Sequence, residues 1–168
     1  MFCNQCQETF KSIGCTKNGV CGKKGEVADL QDKLIYVLKS IAFYNLKARA
    51  AGLNEEATDR FILDGYFATL TNTNFDKKEI ELFIKKGFEF RDKIKAKLPL
   101  GMIAAEKDLP TVATVTPEKI GSLDVAIHST ANEDIRSLRE LLTYGMKGMS
   151  AYAHHAYVLG YKDKQFQS

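Results

Sequence analysis

All four cysteines of the chain fall within its first 21 residues, as Cys3, Cys6, Cys15 and Cys21, in the spacing C-x2-C-x8-C-x5-C. Nothing beyond Cys21 can supply a thiol, so any centre built on sulfur is confined to this segment. Four thiolates there make a complete ligand set for one metal centre. Gly14, Gly19, Gly22 and Gly25 lie between and just after the later cysteines. A chain wrapping a metal needs positive φ and close backbone approach at such places. Residues 1–25 read as an iron–sulfur ligand loop.

Three chemistries compete for these thiols, and an iron–sulfur cluster is favoured. A C-x-x-C turn reaches adjacent corners of a cubane, and the wider spacings reach around it. Structural zinc comes second, because zinc knuckles pair their cysteines more closely than the five residues between Cys15 and Cys21. Two disulfides come last. The N-terminus lacks a basic region followed by an apolar segment, which predicts a cytoplasmic, reducing setting. No apolar run approaches the ~18 residues of a membrane span. The net charge of +3 is small and the lysines alternate with acids, so no nucleic-acid footprint is expected.

After the loop the pattern is helical, and the fold class predicted is all-α. Leu30, Leu34, Val37, Leu38 and Ile41 recur at three- and four-residue steps, and Gly52 is placed as a stop. Asn54 is the expected cap of a second helix with the stripe Phe61, Ile62, Gly65, Tyr66 and Leu70. Asp76 with Glu79 has the form of a capping box for a third helix, which Pro99 closes. Residues 26–98 thus form a three-helix bundle. Residues 99–131 are a connecting segment, with Thr116-Pro117-Glu118 as the start of a short helix and Val112, Val115 and Ile127 open to an extended reading. A long helix follows from about Glu133 to Leu159, with Gly160 as its stop.

The last helix repeats the first. A shift of 108 positions superposes Leu30 on Leu138, Leu34 on Leu142, Tyr36 on Tyr144, Lys39 on Lys147, Tyr44 on Tyr152, Ala48 on Ala156 and Gly52 on Gly160. Residues 132–168 therefore read as the first helix of a second, truncated bundle, and the chain as a fragment. Such a helix should carry an exposed apolar face that folds back on the first bundle or pairs with another copy.

The residues also resemble a known family. Met1-Phe2-Cys3-Asn4-Gln5-Cys6-Gln7-Glu8-Thr9, Gly14-Cys15-Thr16 and Gly19-Val20-Cys21-Gly22-Lys23 look like the N-terminus of the hybrid-cluster, or prismane, proteins, known as hydroxylamine reductases. The likeness continues through Leu30–Tyr36, Thr69–Phe75, Asn132–Leu138 and Tyr144–Gly148. It implies that Cys3, Cys6, Cys15 and Cys21 ligate a [4Fe-4S] cubane beside two three-helix bundles. In that family the catalytic iron–sulfur–oxygen hybrid cluster is held by one His, two Glu and four Cys of downstream α/β domains. Here every cysteine is already assigned, and His128, His154 and His155 match no such motif. The resemblance therefore implies the electron-entry part of an oxidoreductase, not a self-sufficient enzyme.

Its implied partners are an electron donor, a ferredoxin or flavoprotein reductase, and the downstream catalytic domains. The parent reaction implied is reduction of hydroxylamine to ammonia or of nitric oxide to nitrous oxide. A zinc-stapled helical interaction module without a redox role is the alternative. Lys11, Lys17, Lys23 and Lys24 surround the cysteines and would offset cluster charge or steer an acidic donor. His154 and His155 point about 100° apart on a helix and cannot share a metal. Tyr36, Tyr44, Tyr144 and Tyr152 read as packing residues, and Met146 and Met149 as core filler.

Overall fold

The computed structural model describes residues 1–161. Three long helices follow the cysteine loop: α1 (Gly25–Ala50), α2 (Glu56–Ala68) and α3 (Lys77–Lys97). Short turns α4 (Thr111–Thr114) and α5 (Pro117–Ile120) lead to α6 (Glu133–Val158). No strand forms among the described residues beyond two isolated bridges in the loop. The chain is all-α, as its periodicity predicts.

α1 is the central element. Its Leu34, Val37, Leu38, Ile41 and Tyr44 are fully buried against Phe61 and Tyr66 of α2 and Ile80, Phe88 and Ile94 of α3. Each such side chain contributes roughly 1.5–3 kcal/mol through burial. Gly65 and Gly87 let the helices approach closely, since a Cβ there would lie 2.8 Å from Leu38 and 2.6 Å from Val37. Asp76 caps α3, accepting from Lys78 N–H at 2.8 Å and Glu79 N–H at 3.3 Å, but the box with Glu79 is not closed, because Asp76 N–H donates to Asn74 Oδ1 instead. The α2 cap differs: Glu55, not Asn54, is the last residue before the helix, with no side-chain cap bond.

The connecting segment closes the far end of the bundle. Tyr44 Oη donates to Ala113 O at 2.9 Å, and the Arg91 guanidinium donates to Val115 O. Val115 is extended, whereas Val112 lies in α4 and Ile127 in a 3-10 turn (Ile127–Ser129).

α6 begins and ends 108 residues after α1, and both are 26 residues long. The burial of matched positions is inverted. Leu34 is 0% exposed and Leu142 66%; Tyr44 is 0% exposed and Tyr152 80%. α6 turns its polar stripe, Lys147, Ser150, His154 and Tyr157, toward α2 and leaves Leu138, Leu142, Met149 and Tyr152 on the surface. Met149 and Tyr152 are thus not core residues here, and the apolar face does not fold back on the first bundle among the described residues.

Candidate metal centre

The cysteine loop is held by two short ladders. Cys3 N–H donates to Cys15 O at 3.0 Å and Cys15 N–H returns to Cys3 O at 2.8 Å. Residues opposed in this way project their side chains from the same face of the ribbon. Asn18 and Lys24 form the second bridge, and Gly19 N–H donates to Lys23 O at 2.8 Å, closing the turn that carries Cys21. Cys6 O accepts from Thr9 N–H at 3.1 Å and Thr9 Oγ1 at 2.6 Å.

Of the four glycines expected to supply positive φ, Gly22 alone does so, at 88°. Left-handed backbone falls instead on Lys11 and Ser12, in the 3-10 turn Phe10–Ser12. Gly14 and Gly19 are needed for space. A Cβ at Gly14 would lie 2.3 Å from the Phe2 ring, and one at Gly19 2.9 Å from Cys21 Sγ.

All four thiols are free. Cys15 is buried, Cys3 and Cys6 are half-buried, and Cys21 is exposed. Among the described residues no three His, Cys, Asp or Glu side chains converge to hold a single metal ion. A mononuclear site needs its sulfurs about 2.3 Å from one point. A cubane binds each thiolate at a separate iron and needs the four arrayed around one compact cluster.

Two buried ammoniums share a cavity with Cys3. Lys23 is not a surface lysine: it is 2% exposed, and its Nζ donates to Gln31 Oε1 at 2.6 Å. Gln31 Nε2 in turn donates to Asn74 O at 3.0 Å. A second ammonium arrives from α6, where Lys147 is 5% exposed and donates to Thr69 O at 3.2 Å. Among the described residues no carboxylate comes within ion-pair distance of either.

A cavity of about 580 Å³ lies alongside, lined in part by Cys3, Lys23, Asp32, Tyr144 and Lys147. Burial lowers Lys147 to about 8, with Lys23 adding to the effect and Asp32 and Cys3 opposing it. Burial raises Asp32 to about 7 against the pull of Lys147, and its Oδ2 is buried without a partner. The Tyr144 hydroxyl is held up by burial first, then by Glu140 and Cys3, and it donates to Asn4 Oδ1.

The sequence matches the model of the Prismane/CO dehydrogenase family over residues 1–168. The chain belongs to that family. A hydroxylamine reductase of Methanosarcina mazei is 74% identical over 165 residues, which is 98% of this chain and 31% of the relative. Hydroxylamine reductases of Thermoanaerobacter pseudethanolicus and Desulfitobacterium hafniense are 52% and 47% identical, over 97% of this chain and 30% and 31% of theirs. The chain spans just under a third of the length of these curated relatives.

In this prismane-family chain the histidines have packing partners. His154 Nδ1 lies 2.8 Å from Asp64 Oδ1, and its ring stacks on Phe67 at 4.5 Å. His155 meets the same ring edge-on at 5.5 Å. His128 packs edge-on against Phe2 at 4.3 Å. Sequence reasoning missed Gln31, Asp32 and Lys147 as neighbours of the loop. One signal for Lys147 was present: it lies on the opposite side of α6 from the apolar stripe.

Proposed function

We propose that Cys3, Cys6, Cys15 and Cys21 hold a [4Fe-4S] cluster, and that this chain is the electron-entry segment of a longer hydroxylamine reductase. The observation that carries the reading is that Cys3, one of four free thiols on the loop, lines the same cavity as two buried ammoniums whose hydrogen-bond acceptors among the described residues are neutral. Burying a cation without a counter-charge costs several kcal/mol. The arrangement becomes favourable when an anion occupies the loop, and a centre ligated by four thiolates is one. When bound, such a cluster supplies reversible one-electron storage.

The residues of the chain divide the work. The Cys3–Cys15 ladder presents two thiolates on one face, and the Asn18–Lys24 turn presents Cys21 at the surface. Burial of Cys15 keeps one side of the site away from water, while exposed Cys21 offers the shortest approach for a donor. Exposed Lys11, Lys17 and Lys24 on the same loop suit an acidic one-electron carrier of ferredoxin or flavoprotein type. The substrate chemistry belongs to the portion of the longer relatives that this chain does not span, and the proposed setting is cytoplasmic. No helix among the described residues is long and apolar enough to cross a membrane.

The test is an absorption spectrum of anaerobically reconstituted protein. A broad visible band that bleaches with dithionite, and is lost in Cys3→Ser and Cys15→Ser, is expected. A colourless protein after reconstitution would overturn the reading.

A further inference from the structure

Lys147 lies on α6, far in sequence from the cysteine loop, yet it lines the same cavity as Cys3. Among the described residues its ammonium has one hydrogen-bond acceptor, the neutral Thr69 carbonyl. The Cys3 charge favours its protonated form, and Lys23, the other buried ammonium, disfavours it. Lys23 sits two residues from Cys21 and cannot be altered without disturbing the ligand turn. Lys147 can, because it is carried by a separate element.

We propose that Lys147 is a positioning residue for electron transfer, whose buried positive charge raises the reduction potential of the centre held by the four cysteines. This rests on the [4Fe-4S] reading above. Reduction adds one negative charge to the centre, and a fixed cation screened from water stabilises that added charge more than the oxidised state. Asp32, whose buried Oδ2 has no partner, acts in the opposite sense from the same cavity. A strap between α6 and α2 through Thr69 would account for a stability role of Lys147, but not for an effect on potential.

The experiment is an EPR-monitored redox titration of reconstituted wild type, Lys147→Gln, Lys147→Arg and Asp32→Asn at pH 7, with iron content and far-ultraviolet circular dichroism on each. In Lys147→Gln the ratio of reduced to oxidised centre at a fixed poise should fall about tenfold, which is about 59 mV for one electron. Lys147→Arg should stay near wild type, and Asp32→Asn should move the ratio upward. Iron-loaded Lys147→Gln with the wild-type potential would overturn the inference while leaving the cluster reading intact. A wild-type chain that takes up no iron would overturn that reading instead, and this inference with it. Should Lys147→Gln fail to load, Lys147→Met, which keeps the length of the side chain without its charge, decides: a fall in the ratio supports the inference, and an unchanged ratio overturns it.

Discussion

Cys3 and Cys15 exchange both of their backbone hydrogen bonds, at 3.0 and 2.8 Å, although eleven residues of chain separate them. The intervening segment can close because Gly14 leaves room for the Phe2 ring, which packs in turn on His128. The pairing ties thiol placement to the absence of one methyl group.

Gly14→Ala should therefore open the loop. A Cβ there meets the Phe2 ring at 2.3 Å, and overpacking of this kind costs typically about 1–3 kcal/mol. Iron content after anaerobic reconstitution should fall below wild type, and Phe2→Ala in the same chain should restore part of it. Full occupancy in Gly14→Ala alone would show that the ladder does not govern the site.

Charge reversal should separate the surface lysines from the buried one. Lys11→Glu, Lys17→Glu and Lys24→Glu together should slow reduction by an acidic carrier protein on the order of tenfold at low salt. The loss should fade as ionic strength rises, with dithionite reduction unchanged. Lys23→Glu should instead impair loading, because it places a carboxylate against Gln31 Oε1 in a buried site. An unchanged carrier rate in the triple variant would remove the loop lysines from the docking surface.

The exposed face of α6 predicts opposite outcomes at matched positions. Leu34→Ala should destabilise the fold by roughly 2–5 kcal/mol. Leu138→Glu with Leu142→Glu should leave the melting temperature nearly unchanged and lower any self-association seen by sedimentation, since both leucines face solvent. A double variant as destabilised as Leu34→Ala would mean that this face is covered within the chain.

Asp32 gives a pH signature in the cluster-free chain. Burial raises its folded pKa to about 7, above the ordinary carboxylate value near 4. The native state therefore holds a proton that the unfolded state has released between those values. Its stabilising contribution is full below about pH 4 and is lost as pH rises to about 7. Asp32→Asn carries no such loss, so its melting temperature should pull ahead of wild type from about pH 5 to pH 7. A gap that stays constant across that range would contradict the assignment.

The helices were legible in the sequence because each carries its own period and stop. α1, α2 and α3 fall where Leu34, Phe61 and Ile80 place their stripes, and Gly160, with φ 89°, follows the end of α6 at Val158. Which face of α6 meets the bundle was not legible, since amphipathicity distinguishes two faces without naming the partner of either. Residues 99–131 carry no period, and their short turns are fixed by long-range bonds such as Tyr44 to Ala113. The cysteine spacing pointed to the loop, but the buried state of Lys23 depends on Gln31 and Phe75, residues the loop meets only after folding. Lys147 reaches the cavity from α6; its place opposite the apolar stripe marked it as set apart, but not as a neighbour of Cys3.

Metal and acid-labile sulfide analysis of protein purified without oxygen tests the central claim most directly. About four irons and four sulfides per chain, lost together when Cys15 is replaced by serine, are the result predicted for a [4Fe-4S] centre on Cys3, Cys6, Cys15 and Cys21. One zinc per chain, with neither iron nor sulfide, would contradict it and leave the loop a structural staple.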